Sequence, residues 1–125
     1  MAHGKFATAV NCMDGRVQLP VIEYMRKKFG VDFVDSVTEA GADGILGHRS
    51  ARVTAIKKRV EISVKKHGSR VVAVVGHHDC AGNPVSKETH IKEIKDDVKI
   101  VSEWFPGVKV FGLWVGEDWK VREVC

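Results

Sequence analysis

An uninterrupted apolar run, Val71 to Val75, constrains the fold of this chain more than any other feature of its sequence. The run consists of β-branched valines around one alanine, a composition that favours a strand. Because no polar residue alternates with the valines, both faces of this strand are expected to be buried. Strands of this kind occur in parallel sheets that helices cover on both sides. The run therefore predicts the central strand of a parallel sheet.

Shorter apolar segments predict the remaining strands and the helices between them. The further strands are Phe6 to Val10, Val31 to Val37, Val108 to Val115 and, after a turn at 116–118, a short edge strand from Trp119 to Val124. Of the predicted helices, one has Pro20 in its first turn and ends at Gly30. The second follows a Ser50 N-cap and ends before Gly68, and the third follows Pro84 to Ser86 and ends at Pro106-Gly107. The glycines of the segment 41–47 predict a flexible loop.

The alternation of strands and helices determines the predicted fold class. Such an order implies right-handed crossovers and helices on both sides of the sheet. We therefore expect a three-layer α/β fold with a central, mostly parallel sheet of about four strands plus an edge strand. A length of 125 residues suits one hydrophobic core, and no linker or internal repeat interrupts the sequence. Residues 1–125 are expected to form a single domain.

The net charge of +4 is spread along the chain rather than concentrated. Basic residues alternate with acidic ones in the predicted helices, and no basic block is interleaved with aromatic residues. The sequence therefore predicts no nucleic-acid partner. The apolar run 71–76 is far shorter than a membrane span, and the first residues lack the pattern of a signal peptide. We expect no membrane association and a cytoplasmic location.

Three cysteines, an odd number, argue against a disulfide framework in a chain without a secretory signal. Two of them lie in polar segments that follow strands: Cys12 in the segment 12–16 (CMDGR) and Cys80 in the segment 76–80 (GHHDC). Neighbouring parallel strands end at one edge of a sheet, where α/β proteins bind their ligands. If the first and the central strand are neighbours, Cys12, His77 and Cys80 converge. Cys125, the final residue, is expected to play no part.

Two thiolates and one imidazole form a donor set that suits zinc. Three protein ligands leave a fourth position for water, which is typical of a catalytic zinc site. The alternative is that each cysteine is a small core residue and that the histidine is merely hydrogen-bonded at the end of a strand. The occurrence of Cys12, His77 and Cys80 together at strand ends favours one zinc ion per chain.

The combination of Cys12-x-Asp14-x-Arg16 with His77-x-x-Cys80 resembles the zinc signature of the β-class carbonic anhydrases. The resemblance extends from Phe6 to Val115, with matching flanking residues at Val17, Ala40-Gly41, Gly76 and Asp79. It implies that Cys12, His77 and Cys80 are the zinc ligands. It also implies that Asp14 and Arg16 form the catalytic dyad of the family beside the metal.

The activity that the resemblance implies is the reversible hydration of CO2 to bicarbonate. Zinc lowers the pKa of a bound water and supplies a hydroxide that attacks the electrophilic carbon. Because two thiolates cancel the charge of the ion, this water is acidified less than in an all-histidine site, and the dyad gains importance. Asp14 either accepts a hydrogen bond from the hydroxide while Arg16 holds it, or binds zinc as a fourth ligand and closes the site. The alternative for Asp14 and Arg16 is an ordinary turn with a surface ion pair.

Three features of the chain depart from the family pattern. Only 11 residues precede Cys12, whereas family members carry an N-terminal helical arm that embraces a partner subunit. His3 stands where the family commonly places a substrate-orienting glutamine, and Thr38-Glu39 replaces an Arg-Asn pair. Two alternatives to CO2 hydration therefore stay open. One is a hydrolase for carbon disulfide or carbonyl sulfide, and the other is a non-catalytic zinc-binding module in which Asp14 is a permanent ligand.

The remaining histidines and the tryptophans complete the set of candidate residues. His78 adjoins a predicted ligand and is either a proton shuttle or a side chain that diverges from the site. His48 is either a second shuttle candidate or a solvated side chain. His67 and His90 are expected on the surfaces of helices. The edge strands predict a homodimer or higher homo-oligomer, with interface area supplied by Trp104, Trp114 and Trp119.

Overall fold

The computed structural model describes residues 3–48 and 50–125. The strands in this part of the chain are β1 Phe6–Asn11, β2 Phe33–Thr38, β3 Val71–His77, β4 Lys109–Val115 and β5 Val121–Glu123. They form a 5-stranded sheet in the order β2-β1-β3-β4-β5. The first four strands are mutually parallel, and β5 returns antiparallel to β4.

The apolar run at the start of β3 occupies the centre of this sheet, as predicted. β1 pairs with β3 in parallel, with Thr8 opposite Val72 and Val10 opposite Val74. From β1 the chain runs outwards to β2 and then crosses to the other side of β1 to form β3, so the strand order reverses between β1 and β3. Such a switch point opens a crevice at the carboxyl ends of the strands. β1 and β3 end there, at Asn11 and His77.

Helices cover both faces of the sheet. They are α1 Gly15–Phe29, α2 Ala42–Ile45, α3 Ala51–Lys66 and α4 Lys87–Trp104. In β3, Val72 and Val74 are buried in a cluster with side chains of α2, α3 and α4, whereas Ala73 and Val75 are buried against α1. The fully apolar run thus has a covered surface on each side. The three-layer α/β fold with a mostly parallel sheet is confirmed.

Two predictions of local structure were wrong. α1 begins at Gly15, so Pro20 lies inside the helix and not in its first turn, because the Asp14 carboxylate caps the helix by accepting the backbone N–H of Arg16. The segment predicted as a flexible loop contains the short helix α2. Ala42 and Ile45 of α2 are buried against the sheet, and these apolar contacts fix the segment.

The three tryptophans that were expected at an interface differ in how far their side chains are exposed. Trp114 in β4 is only 5% exposed, so the expectation that it supplies interface area was wrong. Its indole packs against the ring of His90, 5.3 Å away between centroids. Trp104 and Trp119 are half-buried.

Among residues 3–48 and 50–125, no helix combines the length and the apolar character needed to cross a membrane.

Candidate metal centre

Cys12, His77 and Cys80 converge at the switch point between β1 and β3. Their ligand atoms all lie within 4.8 Å of one another, and the three side chains are buried. The two sulfur atoms are 3.9 Å apart. Two thiolates that bind one tetrahedral zinc ion at about 2.3 Å are separated by roughly 3.8 Å, so the spacing of the sulfurs fits this ion.

The His77 imidazole is oriented as a metal ligand requires. Its Nδ1 lies 2.7 Å from the backbone carbonyl oxygen of His78. Because a carbonyl oxygen only accepts, Nδ1 carries the proton and Nε2 presents a free lone pair. Nε2 is buried and has no hydrogen-bond partner among the described residues. A buried acceptor without a partner is costly, and a metal ion shared with the two sulfurs would satisfy it.

The Cys80 thiol is held in a setting that disfavours its ionisation. Burial and the neighbouring Cys12 raise the pKa of the Cys80 thiol to about 11, an effect that the backbone of Asn83 partly offsets. The backbone N–H of Gly41 donates to the Cys12 sulfur at 3.4 Å. A divalent cation compensates buried thiolate charge, so its binding would displace the thiol proton. The donor set and its surroundings therefore fit zinc.

Asp14 and Arg16 form a two-pronged ion pair at the start of α1. The guanidinium donates from Nη2 to Oδ2 of Asp14 at 2.7 Å and from Nε to Oδ1 at 3.1 Å. The backbone N–H of Arg16 adds a third hydrogen bond, to Oδ1, at 2.9 Å. These bonds from Arg16 lower the pKa of Asp14 to about 2, so the carboxylate is ionised throughout the neutral range. The carboxylate lies outside the ligand cluster of Cys12, His77 and Cys80.

Two backbone segments meet closely beside the sulfurs. A Cβ on Gly41 would lie 2.5 Å from the carbonyl carbon of Gly82, and a Cβ on Gly82 would lie 2.5 Å from that of Ala40. Gly41 also has a left-handed backbone, with φ of 65°. Glycine at both positions thus lets the Gly41 N–H reach the sulfur of Cys12.

We expect Gly41→Ala to destabilise the protein more than Gly30→Ala does. Gly30 has nearly the same φ, 63°, but nothing within 4 Å of an added Cβ. Gly30→Ala should therefore cost only the strain of a left-handed alanine, about 1 kcal/mol. Gly41→Ala should cost about 1–3 kcal/mol more, because the added methyl meets the backbone of Gly82. Urea unfolding of both variants measures the difference. Equal losses would show that the two segments separate freely.

A buried polar network that was not predicted from the sequence lies behind the site. His90 was expected on a surface but is buried, and its Nδ1 lies 2.5 Å from Oδ2 of Asp43. Asn83 donates from Nδ2 to Oδ1 of Asp43 and to Oε1 of Glu93, both at 3.1 Å. The network therefore ties α2 and α4 to the loop that carries Cys80. His90 and Glu93 are three residues apart on one helix, and that spacing was the available signal.

Other candidate residues lie outside the cluster of ligands. His78 and His48 are exposed, and His48 borders a cavity of about 300 Å³ that Gly41 and Asn83 also line. His67 is half-buried and pairs with Asp35 at 2.6 Å rather than standing free on a helix surface. The pair Thr38-Glu39 is held by Arg59, which reaches the Glu39 carboxylate and the Thr38 carbonyl at 3.2 Å each.

Solved structures with a similar fold include carbonic anhydrases and a carbon disulfide hydrolase. A carbonic anhydrase from Streptococcus mutans aligns with a TM-score of 0.64 at 18% identity, over 100% of this chain and 87% of that one. A carbon disulfide hydrolase in its apo form aligns with 0.65 at 16%, over 97% and 79%. One of two tetrameric β-carbonic anhydrases from Sordaria macrospora aligns with 0.61 at 13%, over 98% and 81%. At these identities the likeness establishes the fold. The class is thus α/β proteins of the β-carbonic anhydrase fold.

Comparison of sequences places the chain within that class. No curated protein sequence matches it. The family model described as "Putative carbonic anhydrase" matches residues 2–125. The chain belongs to this carbonic anhydrase family. The predicted resemblance is confirmed for family and fold.

Proposed function

We propose that the chain binds one zinc ion through Cys12, His77 and Cys80 and catalyses the reversible hydration of CO2 to bicarbonate. The observation that carries the proposal is the geometry of this cluster at the switch point of the sheet. Two sulfurs lie 3.9 Å apart beside a buried imidazole nitrogen that has no partner in the described part of the chain. Membership of a carbonic anhydrase family supports the proposed reaction.

The residues around the cluster have different roles in the proposed reaction. When bound, zinc supplies a water of lowered pKa in a site that keeps a fourth position open. Asp14 is ionised and accepts hydrogen bonds only, so it can orient the proton of the attacking water. Arg16 keeps the Asp14 carboxylate turned away from the ligands. Hydration also releases one proton, and exposed His78 is the candidate acceptor.

A second candidate substrate class is carbon disulfide and carbonyl sulfide. The fold matches a carbon disulfide hydrolase with a TM-score of 0.65. Thr38-Glu39, which replaces an Arg-Asn pair of the family, is bound to Arg59 in this chain. Stopped-flow assays with CO2 and with carbon disulfide on the same zinc-loaded sample decide between the two. Elemental analysis that finds no zinc, and no uptake on reconstitution, contradicts both.

We expect Arg16→Ala and Asp14→Ala to retain zinc and to lose hydration activity in different ways. Without Arg16, the carboxylate is free to take the fourth position, and activity should fall about 10- to 100-fold. It should recover partly at higher pH, where hydroxide competes with the carboxylate. Asp14→Ala should lose a similar factor without such recovery, because no carboxylate can close the site.

Stopped-flow rates between pH 7 and 9, with zinc content measured in parallel, check this expectation. Lys65→Ala serves as a control, because it removes an exposed ion pair with Glu61 on α3, away from the cluster. That variant should keep wild-type rates. If Arg16→Ala and Asp14→Ala also keep them, the pair is only a structural turn and the proposed mechanism fails.

We also propose that the protein forms a homodimer or higher homo-oligomer. Met13, which follows Cys12, and Leu19, on α1, are apolar side chains that are 66% and 62% exposed. The Sordaria macrospora relatives are tetrameric. Burial of such side chains by a second copy would remove apolar surface from water. Light scattering should give at least twice the mass of one chain, and a strictly monomeric mass contradicts the proposal.

A further inference from the structure

The guanidinium of Arg16 is enclosed by more than Asp14. Its Nη1 donates to Oδ2 of Asp79 at 3.1 Å, and its Nη2 donates to the backbone oxygen of the same residue, also at 3.1 Å. The Arg16 Cζ lies over the indole of Trp119, 4.5 Å from the ring centroid. This distance is well within the range of a cation–π interaction, for which tryptophan is the strongest aromatic partner. Trp119 belongs to the turn between β4 and β5, far from Arg16 along the chain.

The backbone is unusual at both residues that hold Arg16 from outside its own helix. In residues 3–48 and 50–125, the non-glycine residues with positive φ are Asp79, at 57°, and Trp119, at 59°. Such conformations are unfavourable for a bulky side chain, and they persist where surrounding bonds determine them. For Trp119, these bonds include its own N–H to the Gly116 oxygen at 2.9 Å and the Gly116 N–H to the Lys120 oxygen at 3.2 Å.

The strained turn brings the indole to the metal centre. The Trp119 ring lies 6.4 Å from the ring of His77 and 6.3 Å from that of His78, between centroids. The indole also packs against the apolar cluster beneath α1, so its position is anchored. One face of the ring is therefore fixed over Arg16 at the carboxyl end of the sheet.

We infer that Trp119 is a positioning residue, whose indole keeps Arg16 on Asp14 and so keeps the Asp14 carboxylate off the fourth metal position. This inference rests on the proposed function. The Arg16 side chain is 47% exposed and that of Asp79 is 70% exposed, and ion pairs at such exposure are weak and mobile. A flat aromatic surface restricts the guanidinium without competing for its donors. The indole thus adds rigidity that the exposed ion pair with Asp79 lacks.

The test measures access to the fourth position rather than turnover alone. We would load the wild-type protein and its variants with Co²⁺ and titrate thiocyanate, following the visible absorption of the metal. The variants are Trp119→Phe and Trp119→Leu, each with and without Asp14→Ala. Thiocyanate affinity should fall about 2- to 30-fold in Trp119→Leu, because the freed carboxylate competes for the metal. Trp119→Phe, which retains an aromatic face, should lie between the wild type and Trp119→Leu.

The double variants separate positioning from packing. In the Asp14→Ala background, the Trp119 substitutions should leave thiocyanate affinity unchanged, since no carboxylate remains to compete. Trp104→Leu is the matched control, because Trp104 forms a similar contact with Lys57, at 5.9 Å, on the other side of the sheet. It should bind thiocyanate as the wild type does. If Trp119→Leu does not fold, Trp119→Phe with its double variant carries the same test.

Each outcome bears on the inference or on the proposed function. Wild-type affinity in the Trp119 variants, or an equal loss with and without Asp14, overturns the inference and leaves Trp119 as a packing residue. A protein that shows the predicted coupling but does not hydrate CO2 retains the inference and overturns the proposed function. The reverse result retains the function alone. Failure of the wild type to bind Co²⁺ overturns both.

Discussion

Cys80→Ser is expected to abolish metal binding and hydration activity together. The substitution removes one of two thiolate donors and leaves a hydroxyl, which is a poor zinc ligand. The rate should fall to the uncatalysed level, and enzymes typically exceed that level by about a million-fold or more. Zinc content by elemental analysis and stopped-flow CO2 hydration measure the two losses. The folded state should also lose the free energy that metal binding contributes.

Cys125→Ser is the matched control for this substitution. Cys125 is also a free thiol, but it is exposed and does not belong to the ligand cluster. This variant should keep its zinc, its rate and its melting temperature. A Cys80→Ser protein that still bound one zinc ion with wild-type affinity would contradict the assignment of the ligands.

Asp97→Asn is expected to stabilise the protein at neutral pH. The Asp97 side chain on α4 is 1% exposed, and its Oδ2 has no hydrogen-bond partner among the described residues. Burial, followed by the charges of Asp43, Glu93 and Asp96, raises the pKa of Asp97 from 3.8 to about 9. The carboxyl is therefore neutral in the folded protein at pH 7 and ionised in the unfolded chain. Folding must take up a proton that an asparagine does not need.

The sign and the pH window of the effect follow from this proton. Between pH 4 and pH 9 the folded state binds one proton more than the unfolded state, so Asp97 lowers stability progressively as pH rises. At about 1.4 kcal/mol for each pH unit, the gain from Asp97→Asn at pH 7 should be about 2–4 kcal/mol, and it should vanish near pH 4.

Urea unfolding at pH 5, 7 and 8 measures this trend. Asp96→Asn, at the adjacent exposed position, should change the free energy of unfolding by less than about 0.5 kcal/mol. An Asp97→Asn protein that is no more stable than the wild type at pH 8 would show that Asp97 is ionised and paired in the folded state.

The sequence was most informative where apolar residues are continuous. Val71 to Val75 predicted a central strand buried on both sides, and it lies in that position because every residue of the run suits an apolar surface. Pattern failed where polar residues are buried. The helix α4 buries the polar side chains of His90 and Asp97 alongside those of Ile94 and Val101. The partner of His90 is Asp43, which lies on another element, and no local period can reveal such a pairing.

The candidate site could also be predicted only in part from the sequence. Cys12 follows β1, His77 is the last residue of β3, and Cys80 lies just beyond it. The parallel pairing of β1 with β3 brings these strand ends together. Asp14 and Arg16 are close in sequence to Cys12, so their contact is local. Trp119 was expected at the start of the edge strand and as interface area. Its contact with Arg16 was not predicted, because it depends on a left-handed backbone that a tryptophan disfavours.

The reversal of strand order between β1 and β3 also has a consequence for the order in which the chain folds and binds metal. Cys12 is synthesised long before His77 and Cys80, and the donors meet only once the crossover through β2, α2 and α3 is complete. A metal ion bound by all three donor residues would hold the two ends of that crossover together. Closing so long a loop is entropically costly. Metal uptake should therefore come late in folding, after the sheet has assembled. Removal of the metal from the folded protein by a chelator should then loosen the carboxyl ends of the strands before their amino ends.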